Sequence, residues 1–127
     1  LCDVLVDSKH ETFYIAIENK SVKTDSTNKL YFSQHFSQSN GGHQVERISD
    51  FIDRSGRNGF LAVEFKRGRG KARKAYMVPW SRVRAAYEEG ETGLHLDEIR
   101  DYTEIFRDSE DYDLTENMME MFVESQA

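Results

Sequence analysis

The hydrophobic pattern of the first sixty residues predicts two short strands followed by a helix. Residues 2–7 alternate apolar and polar side chains, and residues 12–20 are rich in β-branched and aromatic side chains. A turn-like Ser-Lys-His segment separates them, so we expect an antiparallel hairpin. A polar segment over 24–43, with room for one helical turn, follows. From Gln44 the apolar positions recur at helical spacing and predict a helix that ends near Gly56.

The next part of the pattern adds two strands and a second helix. Residues 60–66 and 75–80 are predicted strands, and Pro79 should mark the end of the second one. Ser81 is the predicted N-cap of a helix that runs to about Glu89. The order strand, strand, helix, strand, strand, helix predicts an α/β fold with a mixed central β-sheet flanked by helices.

The C-terminal third of the chain differs from the rest in charge. Fifteen of the 17 basic residues lie before residue 85, whereas fourteen of the 23 acidic residues lie after it. We therefore divide the chain into a core domain over 1–93 and an acidic extension over 94–127, with weak helical patterns at 96–107 and 115–124. The net charge of −6 argues against a general nucleic-acid coat protein. The first two-thirds of the chain, however, is basic enough to bind DNA.

Length and cysteine content limit the cellular setting. The 127 residues suit one ordinary domain. No apolar run approaches the roughly 20 residues that cross a bilayer, so we expect no membrane association. The single Cys2 cannot form an intramolecular disulfide, and its place in a strand favours a buried thiol over a nucleophile. We expect a reducing, cytoplasmic location, associated with the nucleoid.

Two charges interrupt the apolar second strand, within FYIAIENKSVK (13–23). Alternation places Glu18 and Lys20 on one face of the strand, and the neighbouring strand can supply Asp3. Two carboxylates that converge across a hairpin suit Mg²⁺, which prefers oxygen ligands. A lysine beside that metal can orient or deprotonate a water and neutralise charge on a phosphate, as phosphodiester hydrolysis requires. Spacing alone leaves a second interpretation open, a solvent-exposed ion pair.

Asp3 followed by IAIENKS (15–21) resembles the PD-(D/E)xK nuclease motif. The stretch HQVERISDFIDRSGRNGFLAVEFKRG (43–68), followed by AYMVPW (75–80), is similar to the archaeal Holliday junction resolvases in order, spacing and character. The resemblance covers residues 2–80. It implies a restriction-endonuclease-like nuclease core, a homodimer, and paired Mg²⁺-dependent cuts in opposing strands of a four-way DNA junction during recombination and repair. Mn²⁺ is expected to substitute for Mg²⁺.

The resemblance also implies a role for each residue of the motif. Asp3 and Glu18 are expected to hold the metal together with the backbone carbonyl of Asn19. Lys20 is expected to position the nucleophilic water, and Gln44 to steady the site from the start of its helix. Without the resemblance, Gln44 is equally well interpreted as an ordinary polar residue at a helix entry.

The chain departs from the family pattern at its beginning. Cys2 stands where the wider superfamily usually has proline. The resolvases carry a catalytic glutamate on a helix upstream of the first aspartate, and this position would precede Leu1. Because the sequence opens inside an apolar run without methionine, we expect the nuclease core to be truncated, without its N-terminal helix.

Two further segments are predicted to contact DNA. By resemblance, Ser21 and Lys23 are expected to touch the scissile strand. The turn KRGRGKARK (66–74) has six basic residues in nine positions, and its affinity for phosphates should fall with salt. It contains no aromatic residue, so we expect backbone contact and not base reading; the alternative is a solvated hairpin loop. The predicted contacts in this turn are Lys66, Arg67, Arg69, Lys71, Arg73 and Lys74.

The remaining candidates are weaker. The four histidines lack ligand spacing, so no zinc site is expected. An apolar stripe near the C-terminus should pack against its own domain or a dimer partner, although it is faintly similar to sliding-clamp-binding peptides. This stripe consists of Leu114, Met118, Met121 and Phe122.

Three functional classes remain open from the sequence. The leading one is a structure-selective endodeoxyribonuclease, a phosphodiester hydrolase of the Holliday junction resolvase type. The second is a non-catalytic DNA-binding module on a nuclease-like core. The third is another PD-(D/E)xK nuclease, of the restriction or repair kind, which would share every active-site residue.

Overall fold

The chain folds around a mixed β-sheet. The computed structural model describes residues 2–7, 14–70, 72–105, 107–108 and 111–112. In chain order the elements are β1 (Val4–Val6), β2 (Ile15–Lys23), β3 (Lys29–Tyr31), α1 (Phe32–His35), β4 (Gln38–Ser39), β5 (Gly42–His43), α2 (Gln44–Ser55), β6 (Asn58–Lys66), β7 (Lys74–Pro79), α3 (Trp80–Glu88), β8 (Gly93–His95), α4 (Leu96–Arg100), β9 (Thr103–Ile105), β10 (Arg107–Asp108) and β11 (Asp111–Tyr112).

Five of these strands form the central sheet in the order β1-β2-β6-β7-β9. Strand β1 pairs with β2 antiparallel, β2 pairs with β6 in parallel, and β7 runs antiparallel to both of its neighbours. A parallel pair needs a crossover connection, and α2 lies in the segment that joins β2 to β6. The prediction of an α/β fold with a mixed central sheet is confirmed.

The helices bury one face of the sheet. Side chains from all four helices join those of β2, β6 and β7 in one apolar cluster. Gly59 on β6 allows the close approach of α2 and α3, because a Cβ there would collide with the side chain of Ile52 and lie 2.9 Å from the Trp80 Cβ. On the other face lies a smaller cluster whose described members all come from strands. They are Ile15, Ile17, Phe60, Ala75, Met77 and Ile105.

Several predicted elements are confirmed. The first two strands form the antiparallel hairpin, although residues 12 and 13 lie outside the described residues. Helix α2 begins at Gln44 and ends at Ser55, and the Gly56 that follows and caps it adopts the left-handed conformation that favours glycine (φ 72°). Strand β7 ends at Pro79, as expected.

Two predictions about local structure are wrong. Ser81 is not the N-cap of α3, because Pro79 turns the chain directly from the strand into a helix that already includes Trp80. The weak helical pattern over 96–107 gives only the short α4, since the chain continues as β9 on the edge of the sheet. The pattern at 115–124 lies outside the described residues.

The polar segment 24–43 and the start of the acidic extension contain elements that the pattern did not reveal. Helix α1 is the single expected helical turn. Strand β3 was missed because its partner is the remote β8, with Leu30 opposite Leu94. Leu94, Leu96 and Ile99 are buried in the main apolar cluster, so residues up to Ile105 pack with the core. In the described part of the chain, no helix is long and apolar enough to span a membrane.

Candidate active site

The hairpin register brings the two predicted carboxylates together. Val4 lies opposite Ile17, so Asp3, one residue before β1, falls beside Glu18. One carboxylate oxygen of Asp3, Oδ2, accepts a hydrogen bond from the backbone N–H of Asn19 at 2.8 Å. Asp3 and Glu18 also share a side-chain hydrogen bond. The sequence prediction that a hairpin would join these residues is therefore met by the geometry.

Gln44 links the lysine to the glutamate. Its amide Nε2 donates to Glu18 Oε2 at 2.7 Å, and its Oε1 accepts from Lys20 Nζ at 3.0 Å. The same Oε1 also accepts from the backbone N–H of Ser37 at 3.1 Å. A single amide thus fixes the positions of both charged side chains, which an ordinary helix-entry residue would not do.

The position of Gln44 depends on the residue before it. His43 caps helix α2, because its Nδ1 accepts the backbone N–H of Val45 at 3.0 Å. With Nδ1 an acceptor, the neutral ring carries its proton on Nε2, which donates to the Phe32 carbonyl at 2.8 Å. The buried ring also packs against Phe36 and Tyr87. The start of α2 is therefore held against the core, and Gln44 with it.

Two residues that the sequence does not mark, Phe36 and Ser37, contact Lys20 and Gln44. The Nζ of Lys20 lies 4.8 Å from the centroid of the Phe36 ring, a cation–π distance. Ser37 contributes its backbone N–H to Gln44. Both residues lie in the polar segment ahead of α2, where no periodic pattern marks them, and only the contact of α1 with the core brings them to the site.

The two carboxyl groups titrate very differently. Glu18 is 3% exposed. Burial, followed by the hydrogen bond and negative charge of Asp3, raises the pKa of Glu18 to about 7. The hydrogen bond from Glu18 lowers the pKa of Asp3 below its ordinary value, with help from the Asn19 amide. The two groups therefore hold one proton between them below about pH 7, and Glu18 carries it.

This donor set fits a magnesium ion with few protein ligands. Among the described residues, no group of three or more His, Cys, Asp or Glu side chains lies together. The available metal ligands are the two adjacent carboxylates and the backbone carbonyl of Asn19. The N–H of Asn19 already donates to Asp3. Mg²⁺ usually keeps several waters and takes one or two carboxylates, so two suffice. Two carboxylates that must share a proton are also a favourable place for a divalent cation, which replaces that proton.

Cys2 adjoins the carboxylates without taking part in their contacts. Burial, followed by the negative charge of Glu18, raises the pKa of the Cys2 thiol to about 11. The thiol is half-buried rather than buried, and it stays protonated at neutral pH, as expected of an unreactive cysteine.

The predicted DNA contacts lie at the far ends of β2 and β6. Ser21 and Lys23 follow Lys20 along β2 and are exposed, and Lys23 is in register with Lys66. Arg67 and Arg69 continue into the turn, where Arg67 Nε donates to the carbonyl of Ala72 at 2.8 Å.

The other basic residues of this turn are partly neutralised. Arg73 pairs with Glu64 at 3.0 Å, and Lys74 lies 4.0 Å from Glu104. Lys71 lies outside the described residues. The positive charge of the basic turn that is available to a ligand therefore comes mainly from its β6 side, from Lys66, Arg67 and Arg69.

Neither a comparison with protein-family models nor a search of curated proteins finds a match to this chain. The functional argument therefore depends on the chemistry of the four-residue cluster formed by Asp3, Glu18, Lys20 and Gln44, called the carboxylate cluster below.

Proposed function

We propose that this chain is a Mg²⁺-dependent, structure-selective DNA endonuclease of the Holliday junction resolvase type. The observation that carries the proposal is the bridge from Gln44 to both Glu18 and Lys20, with Asp3 hydrogen-bonded to Glu18. A chance ion pair on a strand would not bring a second carboxylate and a positioned amide to the same place. Phosphodiester hydrolysis is the reaction for which these groups are best suited.

Each residue of the carboxylate cluster has a distinct role in this proposal. Asp3, Glu18 and the Asn19 carbonyl would hold Mg²⁺, which when bound acts as a Lewis acid on the phosphate and activates a water. Lys20 orients the attacking water and balances the negative charge that develops on the phosphate. Gln44 keeps Lys20 and Glu18 apart at a fixed separation, so that the lysine does not collapse onto the carboxylate.

The basic residues supply affinity for the substrate. Lys23, Lys66, Arg67 and Arg69 would bind phosphates on either side of the cut, without reading bases. Resolution of a four-way junction requires two cuts related by a two-fold axis. A homodimer of this chain would present two carboxylate clusters with the same symmetry.

The direct test is cleavage of a labelled four-way junction by the purified protein in Mg²⁺. Each of the four strands is labelled in turn, and a linear duplex with the same sequences serves as the matched control. We expect nicks at symmetric positions in two opposing strands, none in the duplex, and none when EDTA removes the metal.

Two other results would lead to other conclusions. Junction binding without cleavage would contradict catalysis and favour a non-catalytic DNA-binding module. Equal cleavage of junction and duplex would contradict structure selectivity and favour another nuclease with the same active-site residues. A comparison of both substrates therefore separates the three classes.

A further inference from the structure

A polar cavity of about 800 Å³ lies at the end of β2, and its lining begins at Ser21, the residue after Lys20 of the carboxylate cluster. It lies between the end of β2, the turn that follows it, and helix α1. The lining residues that matter here are Ser21, Lys23, Tyr31, Gln34, His35 and Lys66. A cavity of this volume falls in the range of small-ligand sites.

One short segment joins the cavity to the candidate active site. His35 lines the cavity, the next residue Phe36 lies under the Lys20 ammonium, and Ser37 donates its N–H to Gln44. The charge of Lys20 also acts on His35, so the cavity and the carboxylate cluster are neighbours in the fold. For a nucleic-acid substrate, neighbouring sites suit neighbouring nucleotides.

The cavity combines positive charge with two flat rings. Lys23 and Lys66 are register partners on adjacent strands, and Asp25 is the one acidic residue among the described lining residues. The rings of Tyr31 and His35 are nearly parallel, with an interplanar angle of 11° and centroids 6.4 Å apart. His35 Nδ1 accepts the backbone N–H of Tyr31 at 2.9 Å, so the neutral ring keeps a donor on Nε2. Burial, followed by the charge of Lys20, lowers the pKa of His35 and so keeps this ring uncharged.

We propose that this cavity binds a nucleotide from the branch point and holds it unpaired next to the scissile phosphate, with its base against Tyr31 and His35 and its phosphate between Lys23 and Lys66. Aromatic rings can stack on a base only when its face is exposed, which a fully paired and stacked duplex does not allow. This inference rests on the proposed function and adds a reason for selectivity, since a base pair at a branch point can lack a stacking neighbour on one side and then opens more easily than a pair within a duplex. It assigns base contact to α1 and β3, separate from the backbone contacts of the basic turn.

The test measures binding in EDTA, where no cleavage takes place. The probe is a forked DNA duplex with one unpaired 2-aminopurine at the branch, and its control is a linear duplex in which 2-aminopurine is paired. We expect wild-type protein to quench the fluorescence of the forked probe only. The substitution Tyr31→Leu should abolish this quenching and weaken binding of the forked probe about tenfold, while binding of the linear duplex changes less than about twofold.

Matched variants separate stacking from folding. Tyr31→Phe keeps the ring and should retain the quenching, and Tyr14→Leu removes a tyrosine of similar burial outside the cavity and should also retain it. Lys23→Gln changes an exposed residue that is proposed to contact one phosphate. It should reduce the slope of log affinity against log salt for the forked probe by about one.

Two results would overturn the inference: wild-type protein that quenches both probes equally, or quenching that persists in both Tyr31→Leu and His35→Leu. A failure of the proposed function would be recognised separately. In that case the wild-type protein would quench the forked probe but cleave no DNA in Mg²⁺.

Discussion

The carboxylate cluster differs from the network around Arg82 in how its charges are matched. Arg82 donates to Glu98 through two nitrogens, at 2.7 and 3.0 Å, and to Glu91 at 3.2 Å. The hydrogen bonds from Arg82 to Glu98 raise the pKa of the guanidinium further above its ordinary value. Opposite charges thus meet in an arrangement that stabilises both ionised forms. In the carboxylate cluster, by contrast, the two acids Asp3 and Glu18 lie together, and Glu18 is buried.

This difference separates a structural ion-pair network from a candidate site. The Arg82 network is complete without a ligand, and its removal should affect only stability. The carboxylate cluster holds a proton up to about pH 7 because burial of Glu18, followed by its hydrogen bond with Asp3 and the charge of Asp3, opposes ionisation of both acids. A buried carboxyl group that is costly to ionise is typical of sites that bind a cation or carry out chemistry.

The largest expected effect is on cleavage. Glu18→Gln removes a proposed metal ligand, and Lys20→Ala removes the group proposed to position the water. Each should lower the rate of junction cleavage on the order of 10²–10⁴-fold, with junction affinity in EDTA changed less than about threefold. The measurement is single-turnover cleavage of the labelled junction in Mg²⁺.

The matched control for Glu18→Gln is Glu98→Gln, the same chemical change in the Arg82 network. It should leave the cleavage rate within about twofold of wild type if the two groups differ as argued. Equal losses from both substitutions would indicate a general effect on folding and would remove the distinction between the two groups.

The next effect is on stability without metal. The folded protein keeps the Glu18 proton up to a pKa of about 7, whereas the unfolded chain releases it near the ordinary pKa of 4.5. Between these values the folded state binds more protons than the unfolded state, so the free energy of unfolding falls as the pH rises from about 4.5 to 7. The expected fall is on the order of 1–3 kcal/mol, measured by urea unfolding in EDTA.

Glu18→Gln provides the control for this pH dependence. It should flatten the curve between these pH values and make the metal-free protein more stable than wild type at pH 8. Asp3, whose pKa is lowered from the ordinary 3.8, contributes stability that is present above that value and is lost as the pH falls below it. The effect of Asp3 therefore lies below the pH range from 4.5 to 7 that is assigned to Glu18. If the free energy of unfolding of the wild-type protein did not change over that range, the raised pKa of Glu18 would be contradicted.

A related effect is expected on metal binding. If Mg²⁺ binds as proposed, it displaces the Glu18 proton, so the apparent affinity should rise about tenfold per pH unit until the pH passes about 7. Isothermal titration calorimetry in buffers of different ionisation enthalpy would measure both the affinity and the number of protons released. Release of no proton at pH 6 would contradict an ion held by Glu18.

The sequence was informative where the contacts are local or follow strand alternation. Alternation placed Glu18 and Lys20 on one face, and helical spacing predicted where α2 begins. The antiparallel hairpin that brings Asp3 to Glu18 follows from the short turn between two β-rich segments. These signals were enough to name Asp3, Glu18 and Lys20 as a candidate metal site. Gln44 was named only through the resemblance to the PD-(D/E)xK nucleases, because helical spacing alone leaves it an ordinary helix-entry residue.

The contacts that the sequence did not predict depend on remote pairing. Phe36 and Ser37 reach the cluster because α1 and β3 are fixed by β8, which lies some sixty residues later. No pattern within the polar segment indicates that pairing, since the short run from Leu30 to Phe32 shows no extended alternation and Leu94 lies between Gly93 and His95, far along the chain. The shared proton was also unpredictable, because it depends on burial of Glu18 beneath groups contributed by separate elements.

The smallest expected effect is in the Arg82 network, and it should differ in kind from those of the carboxylate cluster. Arg82 and Glu98 are each about 30% exposed, so a double-mutant cycle of Arg82→Gln and Glu98→Gln should give a coupling of about 0.5–1 kcal/mol in the free energy of unfolding. Screening by salt should reduce this coupling, whereas the pH dependence that Glu18 causes should persist at the same ionic strength because that group is buried. Either of two results would contradict this difference between the Arg82 network and the carboxylate cluster. One is an Arg82–Glu98 coupling that does not change with salt, and the other is a pH dependence from Glu18 that salt removes.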